Sequence, residues 1–436
     1  MSLLEKATMI NKMYNKKLKK SIHLPERIDI FLVIVILILI ITPIIISIYT
    51  GKNEVRQETV TLYLSPRFEG LLGRELTEKL IQEYKTKNPD IQFVFSDISG
   101  EPELHGGIIN INLDENPAPD IFLFDEGSLS AYIDNDMLLE LNSFTGYDSG
   151  FRQLVIPLAS FMDLLFYNIE ILTAAGFDSP PKTRDDFLAY ARRIAGSGLN
   201  VSAAALSLYR GDKRALSRDV FSWIWAGGGN FWVNGDNPFL NTRAIINDIA
   251  FFGTLNREGL LAPYLFETTG DQRLIEFARG RIAMMTASSQ GIPFLRERMK
   301  DGAFGITTIP DASTGERYSA GISSIYTAIS ADCKNINEAW NFLLFLAEKS
   351  PFICAELKAV PGMVSSLIPG DYVSDDPYYS KAWEIFEYAQ IAESFSGKPG
   401  FEKYETIFLE ELQVFFGSTR TAQQTVNAIQ RRWDEE

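Results

Sequence analysis

To hold a polar solute, a protein needs aromatic faces to cover apolar patches and a few oriented polar groups to fix hydroxyls. Open α/β sheets present such groups in loops at the C-terminal ends of their strands. In this chain those positions are Ser65, Pro66, Arg67 and Phe68, after the β-rich run Thr59 to Leu64, and Asp125, Glu126 and Gly127, after Asp120 to Phe124 (DIFLF). Arg67 carries the forked donor set that grips an anion, although exposure is the commoner state of an arginine. Asp125 and Glu126 are equally suited to cap the helix that follows, and cleft and capping roles are compatible. Trp223, Trp225, Phe231 and Trp232, interrupted by Gly227-Gly228-Gly229, form the densest aromatic cluster. Trp223 or Trp225 is a candidate stacking platform, with core packing the commoner use of any one tryptophan. The three glycines permit close backbone approach or a tight turn, and without a preceding strand they make no phosphate loop.

Other chemistries lack their residues. The chain has two histidines, His23 and His105, hence no histidine pair for zinc and no serine triad. Its many carboxylates show no spacing that marks two as a glycosidase pair. The reading is of a protein that is not an enzyme and carries no metal or cofactor. Cys333 and Cys354 are the only cysteines. An exported domain would permit one disulfide, but the spacing requires none, and Cys354 reads as a small buried hydrophobe.

Position relative to a membrane follows from the N-terminus. Ile30 to Ile48 is a nearly unbroken apolar run, long enough to cross a bilayer as a helix. Lys6, Lys12, Lys16, Lys17, Lys19, Lys20 and Arg27 precede it, and only Lys52 and Arg56 closely follow. The positive-inside bias therefore leaves residues 1–28 in the cytoplasm, residues 29–50 as a single-pass anchor in the cytoplasmic membrane, 51–58 as a linker and the remainder extracytoplasmic. A cleaved secretory signal is the rival, but the run is long for one and ends in Ser47, Ile48, Tyr49, Thr50 and Gly51 without a small-x-small site. No cysteine follows for a lipid anchor. Residues 1–50 hold seven of the 41 Lys/Arg and three of the 56 Asp/Glu, which leaves the rest at −19. Such a surface repels phosphate backbones and argues against nucleic acid as a partner; it would favour cationic ligands, although solubility alone explains many acidic totals.

The elements behind these candidates alternate between short β-rich runs and amphipathic helices, the pattern of α/β layers with mostly parallel strands. Leu72, Leu76, Leu80, Ile81 and Tyr84 recur at helical spacing until Asn88-Pro89; Ile91 to Phe95 is the next strand. Thr183 with Asp186 starts a helix over 184–195. Helices follow over 242–258 and 271–279, closed by Gly259 and Gly280, then a strand over 282–286 and helices over 338–349, 382–393, 404–416 and 421–433. About 385 residues beyond the anchor is the length of two lobes or domains.

The order of these blocks resembles the extracellular solute-binding proteins of bacterial ABC importers, of the maltose- and oligosaccharide-binding type. TVTLYL with YKTKNPDIQFVF is similar to the family's opening strand, helix and second strand. PAPDIFLFDEGSLSAYIDNDMLLEL is similar to its "PDI" strand, helix and turn, with Asp136 where glycine is usual. VIPLASFMDLLFYNIEILTAAGFDSPPKTRDDFLAYARRI follows a further family stretch, with Arg184 where tryptophan is usual. ARGRIAMMTASSQ, DGAFGITTIPD and GISSIYTAISADCKNIN followed by EAWNFLLFLAEK resemble its C-terminal half.

The resemblance implies a two-lobe periplasmic-binding-protein-like α/β fold with hinge strands, in which residues 59–160 and 324–366 form one lobe and 161–323 and 367–436 the other. The chain would cross near 158–163, 319–326 and 365–371, and the lobes would close over ligand. It further implies contacts from Ser160, Phe161 and Asp163 at the first crossing, and from Tyr404 on a late helix. Ser288, Ser289 and Gln290 stand where oligosaccharide binders often carry a tryptophan, and Tyr63 replaces another; this loss favours a smaller or more polar solute than maltose. The expected function is a membrane-anchored receptor that captures a small polar solute, a sugar by family type, and delivers it to ABC permease subunits. A tethered solute-sensing or protein-interaction domain of the same fold is the alternative.

Overall fold

The computed structural model describes Thr42 and residues 59–96, 118–142, 154–212, 214–231, 238–311, 319–361, 376–388, 390–391 and 401–435. The apolar run 30–48 (apart from Thr42), the linker, Trp232 and the crossing expected at 365–371 lie outside them. Among the described residues no helix is long and apolar enough to cross a membrane.

The strands are β1 (Val60–Leu64), β2 (Ile91–Phe95), β3 (Ile121–Asp125), β4 (Ile156–Asn168), β5 (Ser202–Ala205), β6 (Ile282–Ser288), β7 (Phe304–Thr307), β8 (Ser319–Ala320), β9 (Ile322–Ile329), β10 (Val360–Pro361) and β11 (Gln390–Ile391). The main path runs β2-β1-β3-β9-β4-β6-β5, with β7 and β10 also on β4, while β8 pairs with β11. The mostly parallel expectation holds at both ends, where β1 lies parallel to β2 and β3, and β5 to β6. It fails in the middle, where β9 is antiparallel to β3 and β4, and β4 to β6, β7 and β10. One strand leaves the first group of strands and the other returns to it, so the two run in opposite directions.

Core membership changes along these strands. Leu158 and Phe161 of β4 pack with Leu62, Leu64, Ile325 and Phe342, and Met162, Leu164 and Phe166 pack with Phe277, Met285 and Phe304. Leu165 faces a third cluster containing Trp223, Phe252 and Phe408. On β9, Ile322 packs against the second of these clusters and Ile325 lies in the first. Ala359 and Val360 divide in the same way, so a passage lies there, N-terminal to 365–371.

Local signals explain most helices. Thr183 and Asp186 form a reciprocal capping box on Arg184–Ala195, as do Thr269 and Gln272 on Gly270–Ala278. The helix expected at 382–393 instead occupies Pro377–Tyr388: Asp376 accepts from the Tyr378 N–H and Pro377 is pre-set for a first helical turn. Arg184, in place of the tryptophan usual in the family, is buried, ion-paired with Asp248, donates to the Trp223 carbonyl and lies 5.4 Å from the Phe251 ring centroid. Gly227 lets the chain pass over this pair; a Cβ there would come within 2.6 Å of the guanidinium. Cys333 and Cys354 are both buried free thiols, pushed up to about 12 by burial above all.

Gly321 sits where β8 meets β9 and accepts the Asp163 N–H at 2.9 Å. A Cβ at Gly321 would stand 2.8 Å from Asp163 Oδ2 and 3.2 Å from Trp225 Cζ3. Gly321→Ala is expected to cost about 1–3 kcal/mol in denaturant unfolding, the range for overpacking a filled site; an unchanged midpoint would mean that the crossing yields to an added methyl.

Candidate functional site

In the first lobe, two loops at C-terminal strand ends meet. Arg67, in the short helix Arg67–Leu72, donates to Ser128 Oγ at 2.8 Å; Ser128 donates to Asp125 Oδ1 at 3.2 Å, and the Arg67 guanidinium lies 3.9 Å from Asp125 Oδ2. Arg67 and Asp125 are thus joined, and the arginine enters the site with its charge already balanced.

In the second lobe, β6 ends at Ser288, whose hydroxyl accepts from the Gln290 N–H, and Ser289 Oγ accepts from the Met162 N–H at 3.1 Å. Beside it lies a charged loop. Arg214 gives both oxygens of Asp163 a hydrogen bond at 3.1 Å, and Arg218 bonds Asp212 at 3.0 Å and Asp219 at 2.9 Å. Asp212 also accepts the Gly270 N–H at 2.8 Å, which ties the loop to a helix start. Burial pushes Asp163 up despite Arg214 and Arg218, and pushes Asp219 up to about 6 against the pull of Arg218. For Asp212, burial is the largest single influence and acts upward, but Arg218 and the backbone N–H groups together hold the carboxyl below its usual range.

These groups wall a cavity of about 650 Å³ that includes Asp212, Arg214, Arg218, Ser288, Gln290 and Phe294, a volume suited to a small solute. A larger one, of about 1020 Å³, opens near Ser202 and Ile282, at the N-terminal ends of β5 and β6, the wrong end for a ligand site in an open α/β sheet. Arg214 also lines a chamber of about 40 Å³ between the lobes, with Glu126 and Gly127 from the loop after β3 and Phe401, Glu402 and Glu405 from the helix Phe401–Phe416. Glu405 Oε1 is shut off from solvent and accepts no hydrogen bond. Burial, then Glu402 and Asp212, push that carboxyl up to about 8.

The residues singled out in the sequence divide three ways. Ser288 and Gln290 line the cavity of about 650 Å³ and Glu126 the small chamber. Ser160, Asp163 and Ser289 lie at the crossing but are buried and bonded within the protein, Ser160 to Ser324 at 2.7 Å. Phe68, Phe161, Trp223 and Trp225 belong to the cores and offer no stacking platform: Trp223 stacks on Phe251 and donates to Thr286 Oγ1 at 2.7 Å, and Trp225 packs around Phe221. The Tyr404 ring meets Trp433 edge-on, 5.3 Å between centroids; the helix instead presents Glu402 and Glu405 to the chamber. The sequence reading missed Arg214, Arg218, Asp212, Phe294, Glu402 and Glu405. The alternating charges of YRGDKRALSRD, dense in an otherwise apolar region, were the available signal for the first three.

Two lobes of mixed α/β structure sharing hinge strands, with cavities at the C-terminal strand ends near their junction, define a periplasmic-binding-protein fold. Solved structures agree: the sugar-binding protein MalE of Xanthomonas citri matches 86% of this chain and 97% of its own at TM-score 0.69 and 14% identity. UgpB of Mycobacterium tuberculosis, solved with glycerophosphocholine, matches 86% and 98% at TM-score 0.67 and 17% identity. The bacterial extracellular solute-binding protein family matches residues 72–350, and the chain belongs to that family. The sn-glycerol-3-phosphate-binding periplasmic protein UgpB of Shigella dysenteriae is 25% identical over 326 residues, 67% of this chain and 71% of that one. A binding protein of Brucella abortus is 24% identical over 200 residues, 44% of this chain; the chain spans about half, 46%, of that relative's length.

The Glu405 carboxyl yields a pH-dependent stability. Its folded value of about 8 lies above the ordinary 4.5, so the stability it contributes is full below pH 4.5 and is lost as pH rises through 8. The loss expected between pH 5 and pH 8 is about 1–3 kcal/mol after discounting for the nearby opening to solvent. Melting curves of the wild type and Glu405→Gln across that range should diverge in the variant's favour as pH rises; parallel curves would show an ordinary carboxyl.

Proposed function

We propose that the protein captures a small polyhydroxylated solute of the carbohydrate or polyol class in the cavity beside Ser288, Gln290 and Phe294 and delivers it to an ABC permease. The observation that carries this reading is the cavity itself: a volume of about 650 Å³ with hydroxyl and amide donors, one aromatic side chain, and arginines already matched to carboxylates. A sugar offers hydroxyls that such groups satisfy without any net charge transfer. The relatives named for sn-glycerol-3-phosphate raise a phosphorylated solute as a possibility, but Arg67, Arg214 and Arg218 are each engaged by Asp125, Asp163, or Asp212 and Asp219. At Arg214 and Arg218 a phosphate would have to break those pairs and leave the buried Asp163 and Asp219 uncompensated, which is costly.

In this reading the lobes are residues 59–160 with 324–366 and 161–323 with 367–436, and closure bends β4 and β9 at the crossing. Residues 29–50 tether the protein to the cytoplasmic membrane with residues 1–28 inside, which keeps the receptor close to its permease and raises its effective concentration there.

A thermal-shift titration of the full chain in detergent against sugars and polyols should give a saturable rise in melting temperature with no turnover; a ligand at a hundredfold its Kd stabilises the folded state by about 2.7 kcal/mol. Gln290→Ala and Phe294→Ala should each weaken that binding about tenfold or more, since each removes a contact worth about 1.4 kcal/mol. A transition that no such solute moves would sink the assignment.

A further inference from the structure

The small chamber between the lobes has a chemistry that a plain sugar does not use. Three carboxylates and one guanidinium line it among the described residues: Glu126 from the first lobe, Glu402 and Glu405 from the helix Phe401–Phe416, and Arg214. Arg214 is already held by both oxygens of Asp163, so its charge is answered outside the chamber. Glu405 Oε1 is enclosed and accepts no hydrogen bond, a state that costs free energy while the chamber stays empty of a donor. At about 40 Å³ against about 650 Å³ for the adjoining cavity, the chamber is the narrow end of the site and fits one end of a ligand, not its body. Among the described residues no three His, Cys, Asp or Glu side chains converge to hold a metal ion.

We infer that the solute carries an amino group, and that its ammonium end seats in this chamber against Glu405, Glu126 and Glu402 while its hydroxylated body fills the adjoining cavity. The inference rests on the proposed function, and Arg214, which lines both spaces, is where the two parts of the ligand would join. An ammonium supplies three donors to acceptors that surround it, and charge-assisted bonds of this kind are about twice as strong as neutral ones. Binding also moves a proton. Glu126, Glu402, Arg214 and the nearby Asp212 are the charged groups facing Glu405; with its carboxyl held up to about 8, Glu405 is mostly protonated at neutral pH and must release that proton when the ammonium arrives. Affinity for the amine should therefore climb as pH rises toward 8 and level off above it, provided the ligand amine stays charged.

The test compares matched pairs by calorimetric titration of the full chain: glycerol with aminopropanediol, sorbitol with aminodeoxysorbitol, maltitol with aminodeoxymaltitol. The amine of at least one pair should bind about tenfold or more tightly than its neutral partner, with a heat that depends on the buffer's ionisation enthalpy because a proton leaves. Glu405→Gln should bring the amine down to the level of the neutral compound and remove the buffer dependence. Neutral members that bind as tightly as their amines, or a preference that survives in Glu405→Gln, would overturn this inference and leave the proposed function standing. Failure of every member of every pair would overturn both.

Discussion

The carboxylate of Asp163 constrains everything around it. It is buried at the point where β4 passes from one core to the next, and a buried charge must be matched. Arg214 matches it, and in doing so draws the charged loop across the end of β6. Arg218 then holds Asp212 and Asp219, and Asp212 in turn holds the Gly270 N–H. The walls of the cavity of about 650 Å³ are thus positioned by two groups of ion pairs, joined where the Arg214 N–H donates to Asp212. Gly321 completes the arrangement by leaving room for Asp163 Oδ2 where a Cβ would intrude.

That arrangement also decides what the cavity can attract. Arginine beside a ligand site would ordinarily signal an anion, but here the arginines are held by structural carboxylates, and the acceptor left without a donor is Glu405 Oε1. A site with its cations answered internally presents hydroxyl, amide and ring surfaces to the solute, and leaves discrimination between solutes to shape and to the enclosed carboxyl. The core tryptophans serve another end: Trp223, stacked on Phe251 and bonded to Thr286, holds together the scaffold behind the cavity.

Much of the scaffold was legible in the sequence because its signals are local. Capping residues, helix-closing glycines and apolar runs marked Arg184–Ala195, β1 and β2 almost to the residue. Two features were not. The antiparallel middle of the sheet depends on β4 and β9 running opposite ways between lobes, a fact about topology that a window of residues does not carry. The site was only partly legible for a related reason: strand-end logic pointed to Glu126 and the family resemblance to Ser288 and Gln290, but Glu405 lies 279 residues from Glu126 and gains its properties only from the chamber they share. Aromatic density pointed at Trp223 and Trp225 because composition cannot distinguish a ring that faces a guest from one that fills a core.

The interleaving of the two lobes along the chain has a consequence for how the molecule comes into being. The first cluster needs Ile325 and Phe342 beside Leu62 and Leu64, and the largest needs Phe408, Ile429 and Trp433 beside Trp223. The first cannot be completed before Ala359 and the largest before Trp433, so the opening third of the chain has neither of these cores finished. A chain built in this way depends for its finished cores on contacts between residues far apart in sequence, the kind of pairing that forms late.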